Sequence, residues 1–167
     1  AGGFIGSHLT ESLVTLGAQT RAFVHYNSQG SYGWLENSHL IHDIDVVKGD
    51  VRDTDSIESA ISDIDIVFHL AALIAIPYSL QSPRSYLDTN VNGTLNILQS
   101  ARKSEVELLV HTSTSEVYGS ALYTPIDESH PLQGQSPYSA SKIAADKMVE
   151  AFNLSYGLPV TTIRPFN

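Results

Sequence analysis

Short apolar runs alternate with longer amphipathic segments along the whole chain. Five of the runs are compact and rich in β-branched or aromatic residues, a pattern that predicts strands. They cover residues 19–25, 44–48, 65–70, 107–112 and 160–164. Between them, apolar residues recur about every 3.6 positions, which predicts helices over 4–16, 54–61, 84–102 and 138–156. This alternation predicts an α/β fold with a doubly wound parallel sheet and helices on both faces.

The same pattern also predicts which helix faces are apolar, where one helix is capped and where a long loop lies. The first helix has apolar residues at positions 5, 9, 13 and 16, so we expect that face to be buried. Thr54 stands where the N-cap of the second helix is expected. The helix over 84–102 carries Leu87 and Leu98 on one apolar face. Residues 118–137 are irregular and too long for an ordinary connection, which suggests a functional loop.

The two ends of the chain do not match a complete sheet. A glycine-rich turn runs into the first helix without a preceding strand, and the last residues follow a strand directly. A doubly wound sheet has its first strand in the middle. We therefore expect a fragment of a larger protein, with the first strand and a C-terminal substrate domain missing. Such a piece should be unstable alone, and a cooperative thermal transition would contradict that expectation.

Composition narrows the classes of function. Apolar residues make up 42% of the 167 positions, as in ordinary globular domains. With 9 Lys and Arg against 18 Asp and Glu, the net charge is −9, so no basic stripe is available for nucleic acid or an anionic membrane. The absence of cysteine excludes disulfides and Cys-ligated zinc. The longest apolar stretch, 70–78, is too short to cross a bilayer, so we expect a cytoplasmic protein.

The turn that opens the first helix has the features of a phosphate-binding loop. Gly3 and Gly6 are spaced like the last two glycines of a dinucleotide-binding turn, where a helix N-terminus offers N–H groups to a pyrophosphate. The missing Cβ of Gly3 would admit the phosphates, and Gly6 would let the helix pack close to the sheet. Phe4 and Ile5 are further candidate contacts. A plain turn is the alternative, but its place at the head of the β/α alternation favours a Rossmann-type NAD(P) site.

The remaining cofactor contacts are less well defined. The strand that usually ends in an acid for the ribose of NAD ends here in residues 23–27, which contain none, so NADP is not excluded. Asp50 and Val51 follow the next strand and are candidates for the adenine edge. A turn leading into the following helix explains them equally well. We expect no metal site.

A tyrosine and a lysine stand four positions apart at the start of the last helix. Tyr138 and Lys142 would share one helix face, where the ammonium would stabilise a phenolate and make Tyr138 a base for a hydroxyl proton. A surface pair with this spacing is the alternative. The polar run 112–119 favours the catalytic interpretation over the surface pair, because it follows a buried strand at the edge where such folds bind ligands. There Thr114 is placed to hydrogen-bond the reacting oxygen, and Glu116 is a second candidate acid or base.

These motifs together resemble the extended short-chain dehydrogenase/reductase family that acts on nucleotide sugars. The resemblance spans the whole chain and rests on the glycine turn and on 69–72, 90–94, 113–119, 138–142 and 164–167. It implies that Thr114, Tyr138 and Lys142 form the catalytic triad. Asn90 would be a fourth member of the proton network or a packing residue. The other implied contacts are Leu70, Ala71, Ala72, Ser113 and Pro165 for the cofactor, with Tyr138 and Lys142, and Thr114, Ser115, Glu116 and Asn167 for the substrate.

Within this family, Glu116 narrows the reaction that the resemblance implies. Simple 4-epimerases typically have no carboxylate there, whereas 4,6-dehydratases use one to remove the C5 proton after C4 is oxidised. Dehydratases usually carry Asp-Glu after the threonine; here the pair is Ser115-Glu116. Glu116 itself, or a relay through Ser115, would then protonate the leaving hydroxyl. The UDP-glucuronate decarboxylases share the Thr-Ser-Glu arrangement and need no such acid.

Further segments favour one of these alternatives. Residues 24–28, 32–35, 73–79 and 131–138 resemble the legionaminic-acid-type UDP-N-acetylglucosamine 4,6-dehydratases. The resemblance therefore implies an NAD-dependent dehydratase of a UDP-linked N-acetyl-hexosamine, which supplies a sugar for surface glycans. It also implies a homodimer built from the helices over 84–105 and 138–156. Decarboxylase, epimerase and a non-catalytic dinucleotide-binding sensor or scaffold remain alternatives, although the intact triad argues against the last.

Overall fold

The computed structural model describes residues 1–166, so Asn167, expected to face the substrate, lies outside the described residues. The strands are β1 (Thr20–His25), β2 (Ile44–Gly49), β3 (Ile66–His69), β4 (Leu108–Thr112) and β5 (Val160–Ile163). The helices are α1 (Phe4–Thr15), α2 (Thr54–Ile61), α3 (Ile76–Gln81), α4 (Pro83–Tyr86), α5 (Gly93–Lys103) and α6 (Pro137–Tyr156). Short 3₁₀ helices cover Gly33–Asn37, Ile41–Asp43 and Ser115–Tyr118, and a π-helical segment covers Leu87–Asn92. The five predicted strands are all present.

The strands form two parallel ladders. One joins β1 to β2, from Thr20 opposite Ile44 to His25 opposite Gly49. In the other, β4 lies between β3 and β5 and pairs with both. β1 and β3 are not hydrogen-bonded to each other, so the fold is a partial Rossmann-like sheet, as the sequence predicts. Because every pair is parallel, the carboxyl ends of the strands in a ladder lie at one edge.

Apolar side chains form two separate cores. The larger core packs α2, α5 and α6 against the sheet around Leu98, Leu109 and Val149, which are almost fully buried. The smaller core lies against β1 and β2 and consists of Ala22, Val24, Leu35 and Ile44. Most of the buried apolar surface therefore supports β4 and its neighbours.

The predicted helix over 84–102 is present as one unbroken helical run, in which α4, the π-helical segment and α5 follow each other directly. The sequence analysis missed α3, which precedes this run, and the π turn within it. Pro77 and Pro83 lie in the first turns of α3 and α4, where a proline does not break a helix. The wider π turn rotates the face of the helix, so Leu87 is 55% exposed while Leu98 is fully buried.

The predicted buried face of α1 is also wrong. Its buried residues are Ser7 and Thr10, whose hydroxyls donate to backbone carbonyls one turn earlier. Because these small side chains satisfy their own polar groups, they can face the interior. The apolar Ile5 and Leu16 are instead 63% and 83% exposed.

Helix α2 has the predicted bounds and a different cap. The side chain of Asp53, and not Thr54, accepts the hydrogen bond from the N–H of Asp55, and it also accepts one from the Ser56 hydroxyl. Asp53 has the extended backbone typical of an N-cap, whereas Thr54 is already helical.

The long segment from 119 to 136 contains neither helix nor strand, which confirms its irregular character. It connects the 3₁₀ helix after β4 to the start of α6, so it borders the edge where the candidate residues lie. Within residues 1–166, none of the helices has both the length and the apolar character needed to span a membrane.

Candidate active site

The N-terminus of α1 presents an open surface. No side chain caps the helix, and a Cβ built on Gly3 would meet no atom within 4 Å. Phe4 and Ile5 are exposed beside it. Uncapped N–H groups and the partial positive charge of a helix N-terminus are the features that hold a pyrophosphate. The turn therefore has the space and the donors that the sequence prediction requires.

Gly6 is constrained for a different reason from the predicted one. A Cβ there would lie 2.8 Å from the Cα and carbonyl oxygen of Ala1, so the constraint comes from the turn and not from helix–sheet packing. Gly2, which the sequence analysis did not single out, would place a Cβ 2.8 Å from the carbonyl oxygen of Tyr32. The carbonyl of Gly2 also accepts from the N–H of Trp34 at 3.0 Å. The segment after β1 thus packs directly on the glycine turn.

Asp50 and Val51 follow β2, but both are engaged within the protein. The guanidinium of Arg52 binds the carboxylate of Asp50, and this hydrogen bonding lowers the pKa of Asp50 to about 2. The Asp50 carbonyl accepts from the N–H of Asp53 at 2.9 Å, which forms the turn into α2. Val51 is buried in the larger core. These contacts favour the turn interpretation, and the adenine-edge role stays a prediction.

Lys142 lies on α6 and is only 3% exposed. Its Nζ donates to the carbonyl oxygen of Thr112 at 2.8 Å. Burial lowers the pKa of Lys142 to about 8, an effect that the charge of Asp146 partly opposes. The contact brings the ammonium to the carboxyl end of β4, two residues before Thr114.

Tyr138 lies one turn before Lys142 on the same side of α6 and is 7% exposed. Its ring packs edge-on against that of Tyr86, with 6.2 Å between the centroids. A capping box between Ser136 and Ser139 fixes this first turn of the helix. Helix α6 also packs against the 3₁₀ helix that follows β4 and carries Glu116.

Thr114 and Glu116 lie at the start of that 3₁₀ helix. The Oγ1 of Thr114 accepts from the N–H of Glu116 at 3.2 Å, which leaves the hydroxyl proton available to donate. The side chain of Glu116 is exposed. The N–H of Ser115 donates to the carbonyl oxygen of Pro165 at 3.2 Å, so the segments after β4 and β5 are joined. A hydroxyl donor beside an accessible carboxylate is suited to acid–base chemistry on a bound substrate.

Asn90 holds the segment after β3 in place. Residues 70–72 continue from the carboxyl end of β3, at the edge expected for the cofactor. The Asn90 Oδ1 accepts from the N–H of Leu73 at 2.8 Å, and its Nδ2 donates to the carbonyl of Leu73 at 3.0 Å and to Ser141 Oγ at 2.9 Å. Because its amide is used within the protein, the structure favours the packing role over the proton-network role.

Sequence analysis missed a buried carboxylate beneath this edge. Asp146 lies one turn after Lys142 and accepts from Ser113 Oγ at 2.9 Å and from Arg164 Nε at 3.0 Å, and it contacts His111 Nε2 at 3.2 Å. The hydroxyl of Ser113 is used in this contact with Asp146, and a cofactor contact of Ser113 stays a prediction. Only the four-residue spacing from Lys142 could have drawn attention to Asp146, since its partners come from distant parts of the chain.

Pro165 lies two residues after the end of β5 and is exposed. Within residues 1–166, no three His, Asp or Glu side chains are grouped so that they could hold a metal ion.

A partial Rossmann-like sheet, an open glycine turn and a tyrosine–lysine helix together define a domain of the short-chain dehydrogenase/reductase class. The chain belongs to the family described as GDP-mannose 4,6 dehydratase, whose model matches residues 1–167. The resemblance to extended short-chain dehydrogenases/reductases that act on nucleotide sugars is confirmed.

Similar proteins include both dehydratases and epimerases. A dTDP-glucose 4,6-dehydratase of Streptomyces antibioticus is 34% identical over 171 residues, covering 100% of this chain and 51% of the relative. DesIV, a dTDP-glucose 4,6-dehydratase from Streptomyces venezuelae solved with NAD bound, is 32% identical with a TM-score of 0.87, covering 98% and 52%. The UDP-N-acetylglucosamine 4-epimerase of Methanobrevibacter ruminantium M1 is 31% identical with a TM-score of 0.89, covering 99% and 52%. The chain thus spans about half the length of the curated relatives that it matches.

Proposed function

We propose that the protein formed with this chain is a nucleotide-sugar 4,6-dehydratase acting on a UDP-linked N-acetyl-hexosamine. The observation that carries the proposal is the contact of Lys142 with the carboxyl end of β4, directly before Thr114 and Glu116. The family and the dehydratase relatives support the reaction class. The choice of substrate rests on the resemblance of residues 73–79 and 131–138 to the legionaminic-acid-type enzymes.

We propose NAD as the cofactor, held at the glycine turn. The open space at Gly3 and the uncapped N-terminus of α1 fit a pyrophosphate, and DesIV binds NAD in the same fold. β1 ends without the acidic residue that usually binds the adenosine ribose of NAD, so the glycine turn is the main basis for this assignment within the chain. When bound, NAD supplies hydride transfer, accepting a hydride from C4 of the sugar and returning it to C6.

Oxidation at C4 requires the loss of one proton from its hydroxyl. In this proposal Tyr138 accepts that proton, and the ammonium of Lys142, one helical turn away on α6, stabilises the phenolate. The hydroxyl of Thr114 donates a hydrogen bond to the same oxygen. Because Lys142 is held by the carbonyl of Thr112, its charge is fixed at this edge of the sheet.

Elimination at C5 and C6 falls to Glu116. Its carboxylate removes the C5 proton, which the C4 ketone has acidified, and the resulting acid protonates the C6 hydroxyl as it leaves as water. Ser115 replaces the aspartic acid usual in dehydratases, so Glu116 carries both proton transfers, directly or through the Ser115 hydroxyl. A proton returns to C5 when the hydride reaches C6, and the net change is loss of one water.

A second candidate is a 4-epimerase, because the epimerase of M. ruminantium is as similar to this chain as DesIV is. An epimerase uses Tyr138 and Lys142 in the same way but has no role for Glu116. The two reactions differ in mass change: a dehydratase product is lighter by one water, and an epimerase product has the mass of the substrate.

The experiment that tests the proposal compares Glu116→Gln with Glu128→Gln, a change at an exposed carboxylate of the 119–136 loop. UDP-N-acetylglucosamine is turned over in deuterated water, and the product is examined by mass spectrometry and NMR. We expect Glu116→Gln to bind NAD normally, to lose about 10²–10⁴-fold in turnover and to stop deuterium entering C5. Glu128→Gln should behave like the parent. Unchanged deuterium incorporation in Glu116→Gln would exclude it as the base.

We propose further that the enzyme is a cytoplasmic homodimer that serves glycan synthesis. The proposed interface consists of the helices over 84–105 and 138–156, as the family resemblance implies. Sedimentation of the protein at micromolar concentration distinguishes a dimer from a monomer.

A further inference from the structure

Asp146 is the one acidic residue that is buried in the part of the chain described by the structure, and the proposed reaction does not use it. It is 4% exposed. A buried carboxylate is unfavourable unless it is paired and hydrogen-bonded. Here the partners come from two neighbouring strands, since His111 is on β4, Ser113 directly follows β4 and Arg164 directly follows β5.

Two of the three partners of Asp146 are adjacent to a residue of the candidate site. Ser113 directly precedes Thr114, and Arg164 directly precedes Pro165. Asp146 itself follows Lys142 by one helical turn on α6. One carboxylate therefore connects three backbone segments whose relative positions determine the shape of the site.

Arg164 extends this connection to the far end of the 3₁₀ helix after β4. Its Nη1 donates to the hydroxyl of Tyr118 at 3.1 Å, and its guanidinium lies 5.3 Å from the centre of the Tyr118 ring. The same guanidinium donates to Asp146 through Nε. Thr114 and Glu116 lie between the two anchored points, Ser113 and Tyr118, along the chain.

We propose that Asp146 is a positioning residue, whose carboxylate fixes Thr114 and the segment at Pro165 relative to α6 and balances the charge of Lys142. This inference rests on the proposed function, because it gives Thr114 and Lys142 the roles assigned above. Asp146 touches no reacting atom and acts through Ser113, Arg164 and the helix.

Among the titratable groups near Lys142, the carboxylate of Asp146 supplies the negative charge. His69 on β3 and His111 on β4 are buried, and desolvation lowers the pKa of both, so they stay neutral near pH 7. Arg164 is a second cation near the same carboxylate. Among these groups Asp146 alone is negative, so its removal leaves two cations, Lys142 and Arg164, without a counter-charge.

The test is NMR on the whole protein formed with this chain, labelled with ¹³C-lysine, which follows the titration of each lysine separately. Asp146→Asn keeps the size of the side chain and removes its charge. We expect the Lys142 titration midpoint in Asp146→Asn to fall by about one pH unit, and the amide signals of 113–115, Arg164 and Phe166 to shift. Lys147, exposed on the same helix, should titrate unchanged. A residue that only filled space would move neither the Lys142 midpoint nor the signals after β5.

Two further variants complete the test. Glu150→Gln removes an exposed carboxylate of α6 and should leave Lys142 and both segments unchanged. Ser113→Ala keeps the charge and removes one donor, so it should shift the signals of 164–166 even if Asp146→Asn does not fold. A folded Asp146→Asn with an unchanged Lys142 midpoint overturns the inference, as does Ser113→Ala without an effect on 164–166. Neither measurement uses turnover, so the inference can fail while the dehydratase proposal stands.

Discussion

At the scale of single residues, the burial of charged Lys142 in the candidate site lowers the free energy of unfolding. In the folded protein burial lowers the pKa of Lys142 from 10.5 to about 8, whereas in the unfolded chain it keeps its ordinary value. Between these values the unfolded chain binds more protons, so the contribution of Lys142 to stability rises with pH. Below pH 8 the lysine is charged in both states, and the full unfavourable effect of its burial is present.

We predict that the unfolding free energy measured in urea depends on pH differently in the parent and in Lys142→Met. Relative to that variant, the parent should gain about 2 kcal/mol of unfolding free energy between pH 7 and pH 9.5, as its lysine loses the charge. Lys147→Met, at an exposed position of α6, is the control and should show no such pH dependence. A constant difference between parent and Lys142→Met across this range would contradict the assigned cause.

Gly33 gives a second prediction at this scale. It has φ +64°, and a Cβ there would collide with the carbonyl oxygen of Gly2 in the glycine turn. Gly17 has φ +86° and open space around its Cα, so it is a matched control for backbone strain alone. Thermal or urea unfolding should show a loss of about 1 kcal/mol for Gly17→Ala and roughly 3 kcal/mol or more for Gly33→Ala. Equal losses of unfolding free energy in the two variants would mean that the collision with the Gly2 carbonyl does not destabilise Gly33→Ala.

The residues of the site differ in how far the sequence could predict them. Tyr138 and Lys142 share a helix face because of local spacing, which is visible in the sequence. Asp146 obeys the same spacing, but its importance comes from Arg164 and His111, which only the tertiary fold brings to it. Gly2 was missed for the same reason, because its constraint is the distant carbonyl of Tyr32.

At the scale of elements, the strands and the helix over 84–102 were predictable, whereas α3 and the π turn within that helix were not. Compact runs of β-branched residues predict strands directly from the sequence. Each end of the five observed strands differs from its predicted position by at most one residue. The π-helical segment Leu87–Asn92 has no such signal, since it differs from an α-helix by a single residue per turn. A 3.6-residue period carried across it places Leu87 on the wrong face.

The 119–136 loop is held by His130, which is 2% exposed. Its Nε2 accepts from the N–H of Leu122 at 3.0 Å, and its Nδ1 lies 2.9 Å from the carbonyl of Pro131. The ring also packs between Tyr118 and Tyr123, with centroids 5.7 and 4.9 Å away. One side chain therefore closes the loop on itself next to the site.

We predict that His130→Ala loosens this loop without unfolding the sheet. The loss of two hydrogen bonds and a buried ring should raise amide exchange within 119–136 about tenfold or more, with β4 unchanged. Hydrogen exchange by mass spectrometry measures both regions, and His39→Ala, at an exposed site, is the control. Equal acceleration in β4 would show that His130 supports the whole fold and not the loop.

At the scale of the whole molecule, the two ladders make stability uneven. β4 is paired on both sides and covered by the larger core, whereas the β1–β2 ladder has the four-residue smaller core on one face. Neither ladder is hydrogen-bonded to the other. This arrangement follows from which strands pair in space, so the sequence indicated a partial sheet but not its division into unequal parts.

Uneven stability leads to a last prediction, which links the fold to the cofactor. The glycine turn packs on the segment after β1, through Gly2 and Trp34, so the proposed NAD site belongs to the weaker half. Without a ligand, amides of α1 and β1 should exchange at least tenfold faster than those of β4.

NAD at about 100 times its dissociation constant stabilises the state that binds it by about 2.7 kcal/mol, which slows exchange there about 100-fold. If α1 opens separately from β4, that protection appears in α1 and β1 and leaves β4 unchanged. Equal protection of β4 would instead mean that the chain unfolds as one unit, and it would contradict both the uneven stability and the expectation that these residues lack a cooperative transition of their own.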